Sequence, residues 1–291
     1  MKIFYKRWIW TLPLLALFVF YACKPVQNKH TSPKGYDLTA PEKFNMPESL
    51  LEISGIAFHN GDGRTVYSIQ DEDGRLFKQS WGVKKQSNVR FAEKGDYEDL
   101  AILKETVFVL KSSGTIYVFP LGEIYKKKAE NVKVWKHILP DGEYESLYAD
   151  QNTNKLYAIC KNSDQDHKTR KSSGYVFNYY PENGNLAVSG DFKIDSKEIE
   201  AFGTPIKSGL KTSALAKNPR TNEWYILSSV YKLLVIATPD WKIKEVHKIS
   251  SSTFNQPEGI AFDQQSNLYI SNEGDEITPG NILKFRYKAV K

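Results

Sequence analysis

The chain has 291 residues, 41% hydrophobic and 25% charged, a globular balance that excludes a disordered protein and leaves room for one large all-β domain or two ordinary ones. Its formal charge of +6 comes from scattered lysines, with one dense run at Lys126, Lys127 and Lys128 that reads as a solvated loop; no basic stripe interleaved with aromatics is present, which argues against nucleic acid as a partner. The 17 Tyr and 15 Phe favour strands, and only two Met with no alanine-rich stretch speak against a helical fold.

Residues 1–22 read as an export signal. Lys2, Lys6 and Arg7 precede the apolar run Ile9 to Phe20, which Pro13 breaks and which is too short and wrongly flanked for a stable span. The run ends at Tyr21-Ala22-Cys23. A small residue just before Cys resembles the lipobox of bacterial lipoproteins, although Phe20 and Tyr21 stand where Leu and a small residue are usual. That resemblance implies a diacylglyceryl group on Cys23 and attachment to a membrane of the cell envelope. Residues 23–35, polar with Pro25, Pro33 and Gly35, read as a flexible tether. No acidic cluster follows Cys23, which points to an outer-membrane anchor facing the periplasm.

A repeat fills residues 36–291. Ser54-Gly55-Ile56-Ala57-Phe58 is echoed by Glu98-Asp99-Leu100-Ala101-Ile102, Glu145-Ser146-Leu147-Tyr148-Ala149, Ser213-Ala214-Leu215-Ala216-Lys217 and Glu258-Gly259-Ile260-Ala261-Phe262. Each copy precedes a turn and a second apolar run with an aromatic at its second position: Tyr67, Phe108, Tyr157, Tyr225 and Tyr269. A third run follows in every copy, and a fourth in the first four. Start-to-start spacings are 44, 47, 68 and 45 residues. A period of about 45 with four strands is the arithmetic of a propeller blade. The fold class expected is therefore all-β, a five-bladed β-propeller. The 68-residue gap is assigned to two insertions, 162–173 and 195–211, the second with room for a helical turn; a hidden sixth blade is the alternative. The fifth copy lacks a fourth strand and Tyr36 to Phe44 is spare, so an N-terminal strand is expected to close the ring.

The residue opening each inner strand should lie at one mouth of the central channel. There the repeats place Ser54, Glu98, Glu145, Ser213 and Glu258, with Asp99 beside Glu98. The antiparallel second strands end on the same face and add Asp71, Glu273, Lys111 and Lys161. Crowded carboxylates raise one another's pKa unless a cation neutralises them. An oxygen-only cluster suits calcium, whereas zinc or iron would want His or Cys. Spacing alone leaves two readings open: a cation site, or a wet rim whose glutamates pair with Lys111 and Lys161. Asp71-Glu72-Asp73-Gly74 reads as a hairpin turn, Asp164-Gln165-Asp166-His167 as solvated surface, and Cys160 as a buried small hydrophobe.

The blade starts Glu52-Ile53-Ser54-Gly55-Ile56-Ala57-Phe58, Tyr97-Glu98-Asp99-Leu100-Ala101, Tyr144-Glu145-Ser146-Leu147 and Pro257-Glu258-Gly259-Ile260-Ala261-Phe262-Asp263 resemble those of the SdiA-regulated family, distantly similar to NHL-repeat propellers. The resemblance covers residues 36–288 and implies five blades and a bound calcium ion; Glu98, Glu145 and Glu258 are its first candidate ligands, then Asp99 and Asp71. No G-x-S-x-G motif or Ser/His pairing points to nucleophilic catalysis. The leading expectation is thus a lipid-anchored module that binds an envelope protein or small ligand at the channel mouth and is not an enzyme. The alternative is a metal-dependent hydrolase of the lactonase or phosphoesterase kind working through the same carboxylates.

Overall fold

The computed structural model describes residues 31–83 and 85–289; the expected leader, Cys23 and the first part of the tether lie outside them. After β1 (Glu42–Asn45), the first blade holds β2 (Ile53–Ala57), β3 (Thr65–Gln70), β4 (Arg75–Ser80) and β5 (Ser87–Arg90). The second holds β6 (Tyr97–Leu103), β7 (Thr106–Lys111), β8 (Ile116–Pro120) and β9 (Lys133–Trp135). The third holds β10 (Glu143–Asp150), β11 (Lys155–Asn162), β12 (Lys171–Tyr180) and β13 (Asn185–Asp195). The fourth holds β14 (Ala214–Lys217), β15 (Trp224–Ser228), β16 (Leu233–Ala237) and β17 (Ile243–Lys248). The fifth holds β18 (Pro257–Phe262), β19 (Leu268–Asn272) and β20 (Asn281–Phe285), completed by β1. Five antiparallel four-stranded sheets make a five-bladed propeller.

The pattern of burial explains the pattern of residues. A strand covered on both faces has no polar side, so β15 (WYILS) and β16 (LLVIA) read as unbroken apolar runs and are buried throughout. The outermost strands β13 and β17 face solvent and carry charges. Among the described residues, the buried apolar side chains divide into five clusters, one between each pair of adjacent blades. The repeated aromatic serves those seams. Tyr67, Phe108, Tyr157, Tyr225 and Tyr269 each pack with the side chains of the following blade.

The ring closes as expected, with Glu42 to Asn45 running antiparallel to Asn281 to Lys284. The strand is shorter than the spare segment, because Tyr36 and Leu38 leave the sheet to fill the seam between the fourth and fifth blades. The tether also ends earlier than read. Thr31 Oγ1 stands 2.8 Å from His247 Nδ1, and the Lys288 N–H donates to the Gly35 carbonyl at 2.8 Å.

The 68-residue gap holds no sixth sheet among the described residues. It is taken up by the long strands β12 and β13 and by two short helices, α1 (Asp164–Thr169) and α2 (Ser196–Glu200). Asp166, expected on the surface, is buried instead: its carboxylate accepts the backbone N–H of Ser173 at 2.9 Å and the Ser173 hydroxyl.

Candidate functional site

Two kinds of residue open the inner strands, and the structure gives them different work. One kind ties blade to blade. The Ser54 hydroxyl donates to the Glu98 carbonyl, joining the first blade to the second. Asp99 Oδ2 accepts the Leu147 N–H at 2.7 Å, joining second to third. Ser146 Oγ meets Thr212 Oγ1 at 3.1 Å, Ser213 Oγ donates to the Pro257 carbonyl at 2.8 Å, and Ser271 Oγ donates to the Ser54 carbonyl at 2.7 Å. These bonds make a closed circuit around the axis. The blades meet so tightly there that a Cβ on Gly55 would lie 2.4 Å from Asp99 Oδ1, and one on Gly259 would lie 2.6 Å from the Ser54 carbonyl oxygen. Asp99 therefore leaves the candidate site. Its other oxygen accepts the Leu100 N–H at 2.8 Å, so both oxygens are committed to backbone.

The second kind is aimed at the axis. Glu98, Glu145 and Glu258 each fall at a break in register, between the paired residues Tyr97 and Asp99, Tyr144 and Ser146, and Pro257 and Gly259. A bulge leaves one residue outside the ladder and re-aims its side chain. Here it turns three glutamates towards one amine. The Lys161 ammonium is hydrogen-bonded to Glu145 Oε1. Burial works against the charge of Lys161, but Glu145, Glu258 and Glu98 outweigh it and hold the amine above its ordinary value.

One amine does not neutralise this neighbourhood. Burial, then Glu145 and Asp96, push Glu98 up to about 9. Burial, then Glu145 and Glu273, push Glu258 up to about 8. Glu273 rises to about 7 through burial, then Asp71 and Glu52, and Asp71 rises to about 6 through burial, then Glu52. Glu145 is also raised by burial, despite Lys161. The acid mouth is thus a chain of coupled carboxylates, with Glu98, Glu145 and Glu258 at Lys161 and Asp71 joined to them through Glu273. Two of its oxygens, Glu145 Oε2 and Asp71 Oδ1, are buried without any hydrogen-bond partner. Among the described residues, no three His, Cys, Asp or Glu side chains are gathered closely enough to hold a metal ion. As placed, the mouth is organised around the Lys161 ammonium.

Sequence reading placed Glu273 at this mouth but missed the coupling of Glu52 and Asp96 to it. Those two residues lie outside the positions compared between repeats, and only the folded arrangement of the blades brings them in. Cys160 is buried as expected, its thiol pushed up to about 11 by burial.

No family model matches the sequence, and no curated protein matches it. Similar solved structures include Myxococcus xanthus glutaminyl cyclase, at TM-score 0.54 and 14% identity over 86% of this chain and 96% of that one. They also include a luciferin-regenerating enzyme, at TM-score 0.51 and 10% identity over 87% and 97%. Both are enzymes by name. At these identities they establish a shared propeller architecture, and function must be argued from the site.

Proposed function

We propose that this chain is a ligand-binding propeller of the bacterial cell envelope, held to a membrane by a lipid on Cys23, whose acid mouth takes a cationic group. One observation carries the reading. Glu145 is 8% exposed, one of its oxygens is paired with Lys161, and the other has no donor at all. A buried acceptor without a donor is unfavourable by about 1–3 kcal/mol, more if charged, and a ligand that supplies N–H groups and positive charge removes that penalty. The Asp71 oxygen without a partner extends the same demand to the other side of the mouth.

An organic ammonium group suits carboxylates that already surround a lysine. Calcium, implied by the resemblance to the SdiA-regulated family, is the metal that an oxygen-only donor set would select, with Glu98, Glu145, Glu258 and Asp71 as the residues to hold it. The test is the melting temperature of the full chain at pH 8 with spermidine, with calcium, and with EDTA. A ligand of the folded state raises it by mass action. A rise that Glu145→Gln abolishes supports the reading, and the cation that produces it identifies the class. No rise with either cation sinks it. Anchoring is tested separately by metabolic labelling with an alkyne fatty acid, which Cys23→Ser should eliminate.

The metal-dependent hydrolase is favoured by the placing of Glu98 beside Glu145: burial and the neighbouring carboxylate raise Glu98 towards the protonated form that a general acid needs. Turnover of a lactone or phosphoester that Glu98→Gln removes would favour that reading over simple binding.

A further inference from the structure

The opposite end of the channel differs in every respect. Beyond the glutamates, each inner strand supplies one Ile or Leu: Ile56, Leu100, Leu147, Leu215 and Ile260. They are 2–5% exposed, each anchored in a different seam between blades. Together with the residues that follow them they line a cavity of about 270 Å³. The next position in four strands is Ala57, Ala101, Ala216 and Ala261, so the shaft is widened by four side chains of minimal size. In the third blade that position is Tyr148.

Two features show what the shaft would hold. Its walls are mostly apolar, with Phe58 and Phe262 among them, and its charged lining residues are Lys217 and Asp263, the latter bonded to Asn267 and Tyr269. That lysine is already committed, 3.3 Å from Asp150 Oδ2 and 5.2 Å above the Trp224 ring, so it offers no free charge to an anion. Polar groups nevertheless face the cavity. The inner strands β2, β6, β10, β14 and β18 each pair on one side only, which leaves their axis-facing edges outside the ladders. The Tyr148 ring is held edge-on to Trp224 at 5.4 Å, and its hydroxyl makes no hydrogen bond among the described residues.

We infer that this cavity is a binding site for a small, uncharged, flat molecule of about one or two rings that carries a hydrogen-bond acceptor. The apolar body fills the alanine-lined shaft, where burial is worth about 25 cal/mol per Å². The acceptor takes the Tyr148 hydroxyl. The volume lies just under the range of about 300–1,000 Å³ usual for ligand pockets, which excludes long acyl chains and oligomers.

The probe is 6-propionyl-2-(dimethylamino)naphthalene, a neutral naphthyl ketone whose emission shifts to the blue in apolar surroundings, titrated into the full chain. Expected are saturable blue-shifted binding at one site, about five-fold weaker binding in Tyr148→Phe, and loss of binding in Ala216→Leu, which fills the shaft. Ala101→Val and Ala261→Val are milder fillings that serve if Ala216→Leu does not fold. Glu145→Gln should leave probe binding unchanged, so this site and the acid mouth stand or fall separately. No saturable binding, or binding of equal strength in the filled variants, overturns the inference.

Discussion

Asp99 and Leu147 belong to adjacent blades, and the carboxylate of the first accepts the backbone N–H of the second at 2.7 Å. The residue next in sequence, Glu98, points instead into the channel mouth. One carboxylate fastens the ring and its neighbour furnishes it, so substitutions at the two positions should separate stability from binding.

Asp99→Ala strips the acceptor from two buried N–H groups, those of Leu147 and Leu100. The expected loss is about 3 kcal/mol. Urea unfolding would measure it. Asp99→Asn, which keeps one acceptor oxygen, should lose less. The variant should keep its response to cations at the mouth, because Asp99 takes no part there. A lost response with unchanged stability would return Asp99 to the ligand set.

Lys161→Met keeps the length of the side chain and removes the one amine bonded to Glu145. Breaking a buried ion pair from one side lowers stability by about 3 kcal/mol. The loss should be largest at pH 8 and shrink towards pH 5, where the orphaned glutamates take up protons. Unfolding curves at both values test this, and an equal loss at both would show that packing, not charge, is what Lys161 contributes.

Glu258 holds its proton to about 8 in the folded chain, against an ordinary value of 4.5. Between those values the folded state binds a proton that the unfolded state has released, so rising pH weakens the fold across this window. Below 4.5 both states are protonated and the effect is absent; above about 8 it is complete. Glu258→Gln should therefore be more stable than the parent at pH 8.5 and indistinguishable from it at pH 4. For a domain of this size, about 2–4 °C in melting temperature corresponds to each kcal/mol gained. By the same linkage, cations should bind the mouth more tightly as pH rises from 6 to 9 and release protons as they do.

Cys160 is 1% exposed and its thiol is pushed up to about 11 by burial. At pH 8 it should resist a disulfide reagent in the folded protein and react fully in urea. Rapid reaction without denaturant would mean that the third blade opens locally.

The blade count and the closing strand were legible in the order of residues, because a propeller repeats one four-strand unit and every unit must cover both of its faces. Periodicity alone marked Tyr67, Phe108, Tyr157, Tyr225 and Tyr269, and their equivalence survives in the seams between blades. The same alignment brought Glu98, Glu145 and Glu258 to one mouth. It could not distinguish Glu98 from Asp99, since a bulge is a matter of hydrogen-bond register between strands and leaves no mark in composition. A pairing of mouth glutamates with Lys161 was one of two open readings, and the fold selects Glu145 as its partner. Burial of Asp166 and the partnerless oxygens of Glu145 and Asp71 likewise depend on which strands are laid side by side. The alanine-lined cavity was equally hidden. Small residues at one repeat position look like ordinary packing until five strands are set around one axis. The sequence by itself thus determined the architecture and the chemical character of the mouth, because both follow from local periodicity. Which carboxylate structures the ring, which is left at the mouth with an unpaired oxygen, and how the alanines come together in one cavity were decided by tertiary structure, through contacts between residues tens to hundreds of positions apart.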